Sequence, residues 1–285
     1  MLRSRGQGAI PSAPVTTRAT ADGRRSPVTR TTVASVSNPV WRALEDRVRR
    51  RPADPIVTYL DAEGQRTELS AKTFANNAAK AANALRDEAL LDPGARVAMH
   101  VPWHWQRSVW TIAAWLIDAT VVPGGAPDES ELVVAGPEQA AALTGGSFGP
   151  RGSAELWVVS MHPFGLPNSS VPEGALDAAT IARIQPDAFA PGAPLIAPEE
   201  TPALILRDGT SRAQQDLLDR AASIGAGHGL RAGERFAMVG EPADELEAWL
   251  LASLVPLACD ASIVMAGQSL NGDPIEVRES ARLIG

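Results

Sequence analysis

The sequence predicts an α/β fold of two similar halves, each containing a β-α-β unit, with mostly parallel sheets covered by helices. The first observation is a repeat, because the stretch that begins at Leu91 recurs at an offset of 139 residues. Its identical pairs are Leu91/Leu230, Gly94/Gly233, Arg96/Arg235, Ala98/Ala237, Met99/Met238, Trp110/Trp249 and Ala113/Ala252. The second is that each copy reads as strand, Trp-containing helix and strand, the order of a parallel crossover. The third is size, since 285 residues with 45% apolar content can bury a large core.

The N-terminal tail, residues 1–37, has a composition that predicts disorder. It is rich in Arg, Ser and Thr, and it lacks a hydrophobic period. A translocation signal, an organelle transit segment and an upstream start codon remain alternatives for this tail. The net charge of the chain is −7, and the tail carries +5, so residues 38–285 carry −12. An acidic body argues against a nucleic-acid partner. We also expect no membrane span and a cytoplasmic location.

Elements of the first half, residues 38 to about 200, follow from apolar spacing and turn signals. Ser70 is the predicted cap of the long second helix, which ends near Gly94. The predicted helices are residues 39–49, 70–92, a Trp-containing helix in the first copy, 138–143 and 178–184. The predicted strands are 56–60, 66–69, 96–101, 120–123, 132–134 and 156–159, and a Pro-rich segment crosses from 161 to 202.

The second half, residues 201–285, begins with a strand over 204–206. Ser211 and Gln214 predict a capping box for a helix that runs through Ile224, and Asp244 with Glu247 predicts another. The second copy adds strands over 235–239 and 261–265 on either side of its Trp helix.

The stretch PADPIVTYLDAEGQRTELSAKTFANNAAKAANALRDEALLDPGARVAMHVPWHWQRSVWTIAAWLIDATVVP resembles the start of a known domain. It is similar to the N-terminal domain of AMP-forming adenylating enzymes, the superfamily of acyl-CoA synthetases, luciferases and peptide-synthetase adenylation domains. The resemblance covers about residues 40 to 266, and it is closer still to a group of short actinobacterial chains. It implies an adenylating-enzyme N-terminal fold that lacks the small C-terminal catalytic domain.

What the resemblance implies chemically is ATP-dependent activation of a carboxylate, and the motifs for that chemistry are altered. The family holds the triphosphate with a Gly-rich loop that ends in Pro-Lys-Gly, whereas the matching positions here include Arg207, Gly209, Thr210 and Ser211 without a Lys. The family's Tyr-Gly motif has no counterpart, because the only tyrosine is Tyr59. We therefore expect no catalytic residues, no cofactor and no metal, and these four residues are cofactor-binding candidates only if the chain is an enzyme.

Ligand or partner contacts are predicted at His162, which follows a strand, and at Trp103 and His104 in a strand-to-helix corner. A hydrogen-bonded turn and a buried corner are the alternative interpretations of these residues. Ser147 in a Gly-rich turn and Cys259 in an apolar run lack the context of nucleophiles. Metal binding by His100 and His104 is not expected, because Pro102 lies between them.

Two functions remain open at this point. We favour a noncatalytic binding or regulatory protein, whose partner is an unknown protein or a small apolar or acyl ligand. The alternative is an adenylate-forming ligase that uses ATP and Mg²⁺ and is completed by a partner chain. A fragment of a longer gene is the third possibility.

Overall fold

The computed structural model describes residues 38–145, 154–192, 201–267 and 279–284. The predicted disordered tail and the turn around Ser147 lie outside them. The helices are α1 (Pro39–Arg50), α2 (Ala71–Asp87), α3 (Trp105–Leu116), α4 (Pro137–Thr144), α5 (Ala178–Arg183), α6 (Gln214–Gly227), α7 (Glu245–Ser253) and α8 (Val255–Ala258). The strands are β1 (Pro55–Leu60), β2 (Arg66–Ser70), β3 (Arg96–His100), β4 (Thr120–Pro123), β5 (Leu132–Ala135), β6 (Glu155–Val158), β7 (Ala175–Asp177), β8 (Leu204–Ile205), β9 (Ser211–Arg212), β10 (Arg235–Val239), β11 (Ser262–Ala266) and β12 (Arg282–Leu283).

The strands form two mostly parallel sheets, as the sequence predicts. Sheet A has the order β12-β10-β11-β1-β2, and sheet B has the order β7-β6-β5-β3-β4-β8-β9. Only the pairs β1–β2 and β8–β9 are antiparallel among the described strands. The α/β fold class is therefore confirmed.

The two copies of the repeated stretch each form a parallel β-α-β unit. The first unit is β3-α3-β4 in sheet B, where Arg96 pairs with Thr120. The second unit is β10-α7-β11 in sheet A, where Arg235 pairs with Ser262. The short helix α8 is an addition of the second unit, between its long helix and its final strand.

The two sheets do not follow the predicted division of the chain near residue 200. The early hairpin β1–β2 joins sheet A beside β11, whereas β8 and β9 from the second half join sheet B beside β4. The chain therefore exchanges strands between the halves. Hydrophobic periodicity predicts that a strand is present, but it does not specify the pairing partner.

The sequence predicts N-terminal caps for three helices, and the structure shows two of them. Ser70 accepts the N–H of Thr73, and Asp244 accepts the N–H of Glu247, so both residues are caps as predicted. The Glu247 carboxylate contacts His228 at 2.9 Å, so the return bond of the predicted capping box is not seen among the described residues. The capping box of Ser211 and Gln214 is wrong, because Ser211 lies in β9 and α6 begins without a side-chain cap. The Gln214 side chain instead has tertiary partners, as described below.

Helix α3 occupies the centre of the core. All twelve of its residues are buried, and it contacts β4 of sheet B and β1 of sheet A. Trp115 is fully buried, and its indole N–H donates to the carbonyl of Ala203 at 2.6 Å. No helix in the described ranges has both the length and the apolarity to cross a membrane.

The end of α6 consists largely of small residues. The Gly-rich stretch closes this helix at Gly227, and Gly229 follows with φ of +66°. Cys259 packs against Gly225, where an added Cβ would lie 2.1 Å from its sulfur. Burial raises the pKa of the Cys259 thiol, which agrees with a packing role.

Candidate functional site

The carboxyl ends of the parallel strands of sheet B include a point where the strand order reverses. The chain passes from β3 to β4 on one side, but from β5 to β6 on the other. Loops that leave β3 and β5 therefore diverge, and such a reversal is where open α/β sheets bind ligands. The site is narrow, since an added Cβ on Gly136 would lie 2.9 Å from Pro102.

A cavity of about 350 Å³ opens at this edge, and we call it the carboxyl-edge crevice. Strand ends of sheet B form one wall, and the β10–α7 loop of the second unit forms the other. Its polar and charged lining residues are His100, Arg107, Gln139, Arg207, Glu241 and Glu245. The crevice therefore lies between the two β-α-β units.

Arg107 connects the two units from within α3. Its Nη1 donates to Oε1 of Glu241 at 2.7 Å, and its guanidinium lies over the rings of Trp103 (5.1 Å) and Trp249 (4.7 Å). Arg107 is only 4% exposed. Burial lowers its pKa, and the nearby carboxylate of Glu241 opposes that effect. Nη1 of this cation is therefore paired inside the chain, whereas its Nε and Nη2 have no hydrogen-bond partner among the described residues.

The turn between β8 and β9 carries the residues that the resemblance matches to the phosphate loop. The Arg207 N–H donates to Oε2 of Glu245 at 3.1 Å, and the Thr210 N–H donates to Oδ1 of Asp208 at 2.8 Å. Leu206 accepts the N–H of Gly209 at 2.9 Å, with Gly209 at φ +83°. Three amides near the turn, those of Arg207, Gly209 and Thr210, thus already have acceptors, two inside the turn and one on α7.

The charges in the crevice also cancel. Arg207 pairs with Glu245 at 3.3 Å, as Arg107 pairs with Glu241. A triphosphate needs free N–H groups and excess positive charge, and Mg²⁺ needs carboxylates that are not already paired. Both arginines of the crevice thus already have carboxylate partners. The described part of the chain contains no cluster of three side chains able to hold a metal ion.

The predicted site residues do not converge on this crevice. Of the four phosphate-loop candidates, only Arg207 lines it; Gly209, Thr210 and Ser211 lie in the turn or in β9. His162 lies in an exposed turn, where its Nδ1 accepts the N–H of Phe164 at 3.1 Å. This arrangement agrees with the hydrogen-bonded turn that was the alternative interpretation of His162.

Trp103 and His104 are both buried in the corner between β3 and α3. His104 is the N-cap of α3, because its Nδ1 accepts the N–H of Gln106, and its ring packs edge-on against Tyr59 at 4.3 Å. Burial lowers the pKa of His104 to about 3, against a smaller opposing effect of the Met161 backbone. His104 is therefore a neutral capping residue.

Sequence reasoning missed the charged residues that shape the crevice. Arg107 stands in an otherwise apolar, Trp-rich helix, and a charge in such a place indicates a buried ion pair. Glu241 and Glu245 carried no comparable signal, because acidic residues near a helix start are common.

Comparisons with known proteins agree with this architecture. No protein-family model matches the chain. A "TIGR03089 family protein" of Mycobacterium tuberculosis is 36% identical over 184 residues, which cover 64% of this chain and 68% of that protein.

Similar solved structures include three acyl-CoA synthetases. A fatty acyl CoA synthetase of Mycobacterium tuberculosis matches with a TM-score of 0.63 and 15% identity, over 84% of this chain and 46% of its own. An acyl-CoA synthetase of Brucella canis matches with a TM-score of 0.64 and 16% identity, over 84% of this chain and 44% of its own. Acetoacetyl-CoA synthetase of Streptomyces lividans matches with a TM-score of 0.62 and 19% identity, over 80% of this chain and 38% of its own.

The chain spans less than half the length of each of these three structures. Likeness at this identity establishes the fold, whereas the Mycobacterium relative establishes the family. The chain belongs to the TIGR03089 protein family, and its fold is that of the N-terminal domain of AMP-forming acyl-CoA synthetases.

Proposed function

We propose that this chain is a noncatalytic binding or regulatory protein built on the fold of an adenylate-forming ligase. One observation carries the proposal: two amides at the β8–β9 turn already bond carboxylates, that of Thr210 to Asp208 in the turn and that of Arg207 to Glu245 of α7. In an active phosphate loop such amides face the nucleotide, and they contribute most when the phosphates find them free.

Electrostatics support the same proposal. Because Glu241 and Glu245 neutralise Arg107 and Arg207, a nucleotide entering the crevice would have to displace two carboxylates. Displacement from Arg107 is the more costly of the two, since that cation is buried and would lose its partner. The proposed partner is a protein or a small apolar or acyl ligand, in a cytoplasmic setting and without nucleic acid, ATP or Mg²⁺.

The alternative function is a ligase that a partner chain completes with ATP and Mg²⁺. One observation favours it: Arg207 is 75% exposed at the mouth of the crevice, where a partner could redirect it. Under this alternative, nucleotide would bind before the partner arrives and would depend on the Arg207 charge.

Calorimetry of the full chain with ATP, AMP and Mg²⁺ separates the two functions. We expect no heat of binding at nucleotide concentrations up to about 1 mM, because the amides of Arg207, Gly209 and Thr210 already have acceptors. We also expect no pyrophosphate release with any carboxylate.

The matched variants are Arg207→Glu and Arg212→Glu, which reverse a charge inside the crevice and on exposed β9, respectively. Micromolar ATP binding that Arg207→Glu abolishes and Arg212→Glu preserves would overturn the proposal in favour of the ligase.

A further inference from the structure

A second cavity has a volume of about 270 Å³. Helices α2, α3 and α5 and the segment that follows β6 form its walls, and we call it the α2–α3–α5 cavity. It shares no lining residue with the carboxyl-edge crevice. Its volume lies near the lower end of ligand sites, about 300 Å³, so it suits a small ligand.

The floor of the cavity is apolar and aromatic. Trp105 and Trp110 of α3 contribute indole rings, and Val109 and Val159 add aliphatic surface. Gly165 fixes the covering segment, because an added Cβ there would lie 3.3 Å from both Trp105 and Gln106. This floor can take the ring or chain of a ligand, but it does not by itself select one.

Two nearly buried polar side chains line the same cavity without being fully used. Gln106 is 7% exposed, and its side-chain amide has no hydrogen-bond partner among the described residues. The Ser160 hydroxyl accepts the N–H of His162 at 3.1 Å, which leaves its own proton free to donate. The Gln106 amide and the Ser160 hydroxyl can therefore both donate to a polar ligand group in the cavity.

The charged side chains at the cavity indicate that this ligand group is negatively charged. Lys80 of α2 and Arg183 of α5 line it, no Asp or Glu does, and neither cation has an ion pair in the described ranges. Surface cations are often simply solvated. Here both border one cavity of a chain with 33 acidic and 26 basic residues, and Lys80 is one of only two lysines.

Exposed apolar side chains surround the same region. Phe164 is 79% exposed and lines the cavity together with Leu166. Ile184, next to Arg183, is 77% exposed, and Leu176 on edge strand β7 is exposed as well. Large apolar side chains that gather at one place on a surface mark a binding site more often than scattered ones do.

We propose that the α2–α3–α5 cavity binds a small organic anion, whose apolar ring or chain rests on Trp105 and Trp110 and whose charge pairs with Lys80 and Arg183. Gln106 and Ser160 donate to the same anionic group. Carboxylate and phosphate monoester share the required chemistry. The site is independent of nucleotide binding at the crevice, so either proposal can fail alone.

The test is NMR of the indole N–H signals of the full chain, titrated with phenylacetate, phenyl phosphate and the neutral phenylacetamide. We expect one or both anions to shift two of the seven indole signals with a Kd below about 1 mM. Phenylacetamide should bind about tenfold more weakly, since it keeps the ring but loses the charge. The stronger of the two anions identifies the natural head group.

Lys80→Gln and Arg183→Gln should each weaken anion binding about fivefold to tenfold, with no effect on the amide. Lys72→Gln, on the same helix but outside the cavity, is the matched control and should leave binding unchanged. Ala182→Leu, which fills the cavity, should abolish binding. Equal affinity for amide and anions, equal losses in Lys72→Gln and Lys80→Gln, or no shift at about 20 mM anion would each overturn the proposal.

Discussion

The two β-α-β units place an aspartate at the same structural point, but they surround it differently. Asp118 precedes the last strand of the first unit with φ of 58°, and Asp260 precedes that of the second with φ of 56°. Their carbonyls accept equivalent bonds of 2.8 Å, from the N–H of Gly94 and of Gly233. Asp tolerates this left-handed conformation better than most residues, so the backbone accounts for the shared residue type.

The side chains of these two aspartates have partners of opposite character. Asp118 accepts from the amides of Asn38 (2.8 Å) and Gln214 (3.0 Å), and burial raises its pKa despite those bonds. Asp260 faces arginines 47, 50 and 51 at 3.4, 3.5 and 3.4 Å. The same turn is therefore present in both units, but its carboxylate accepts hydrogen bonds from neutral amides in the first unit and pairs with arginines in the second.

The same substitution at both positions should therefore have unequal effects. Asp260→Asn leaves Arg47, which is 1% exposed, without its carboxylate, and we expect a loss of about 3 kcal/mol in the free energy of unfolding. Asp118→Asn keeps an acceptor oxygen and removes a charge that burial disfavours, so we expect a change of less than about 1 kcal/mol. Urea denaturation of each variant measures both values.

Asp46→Asn controls for the loss of a surface carboxylate, because within the described ranges Asp46 pairs only with exposed Arg49 on the same helix. It should change stability by less than about 0.5 kcal/mol. Equal losses at positions 118 and 260 would show that the turn conformation, and not the partner charges, determines the cost.

The helices and strands of both units could be predicted from the sequence. The two copies of the repeat could not be aligned over their full length. The ungapped repeat stops at Ala113 and Ala252, because helix α8 then inserts residues before Asp260. Helix and strand periods depend on local spacing, so they survive such an insertion. Strand exchange between the sheets depends on distant pairing, and no local pattern specifies it.

The candidate site was less predictable than the fold. Resemblance located the altered loop at Arg207, but the partners of that loop come from a different element, through Glu245. Gln214 looked like a cap because of its distance from Ser211, yet its side chain donates to the carbonyl of Trp115 at 2.7 Å. Side chains that bridge elements distant in sequence are determined by tertiary packing, which spacing does not reveal.

The junction between the units offers a second test of the comparison. Glu241→Gln removes the carboxylate of the second unit that pairs with buried Arg107 of the first. We expect a loss of about 2 kcal/mol, since Glu241 is half-exposed and water replaces part of the lost interaction. Denaturant titration of the variant gives the value.

A double variant distinguishes the effect of the Arg107–Glu241 ion pair from the effect of packing around Arg107. Adding Arg107→Met to Glu241→Gln removes the stranded cation and keeps an apolar side chain between Trp103 and Trp249. It should recover most of the loss, because buried ion pairs are replaceable by apolar groups. If the double variant is less stable than Glu241→Gln alone, then stacking of Arg107 on the two indoles dominates, not its charge.

The smallest difference between the units concerns the caps of their central helices. The first unit uses buried His104, whereas the second uses exposed Asp244. His104 is held neutral with a pKa of about 3, below its usual 6.5, so the unfolded chain takes up the proton first as the pH falls. Stability is therefore lost below about pH 6.5, by up to about 1.4 kcal/mol per pH unit until the folded pKa is reached.

His104→Asn keeps a capping side chain and removes this titration. At about pH 7 the variant should be less stable than the wild type, because it loses the packing against Tyr59. Lowering the pH to about 5.5 should shift the difference by about 1 kcal/mol in favour of the variant. A difference that stays constant between these two pH values would mean that the folded protein accepts a proton at His104, and the buried corner of the first unit would then be open to water.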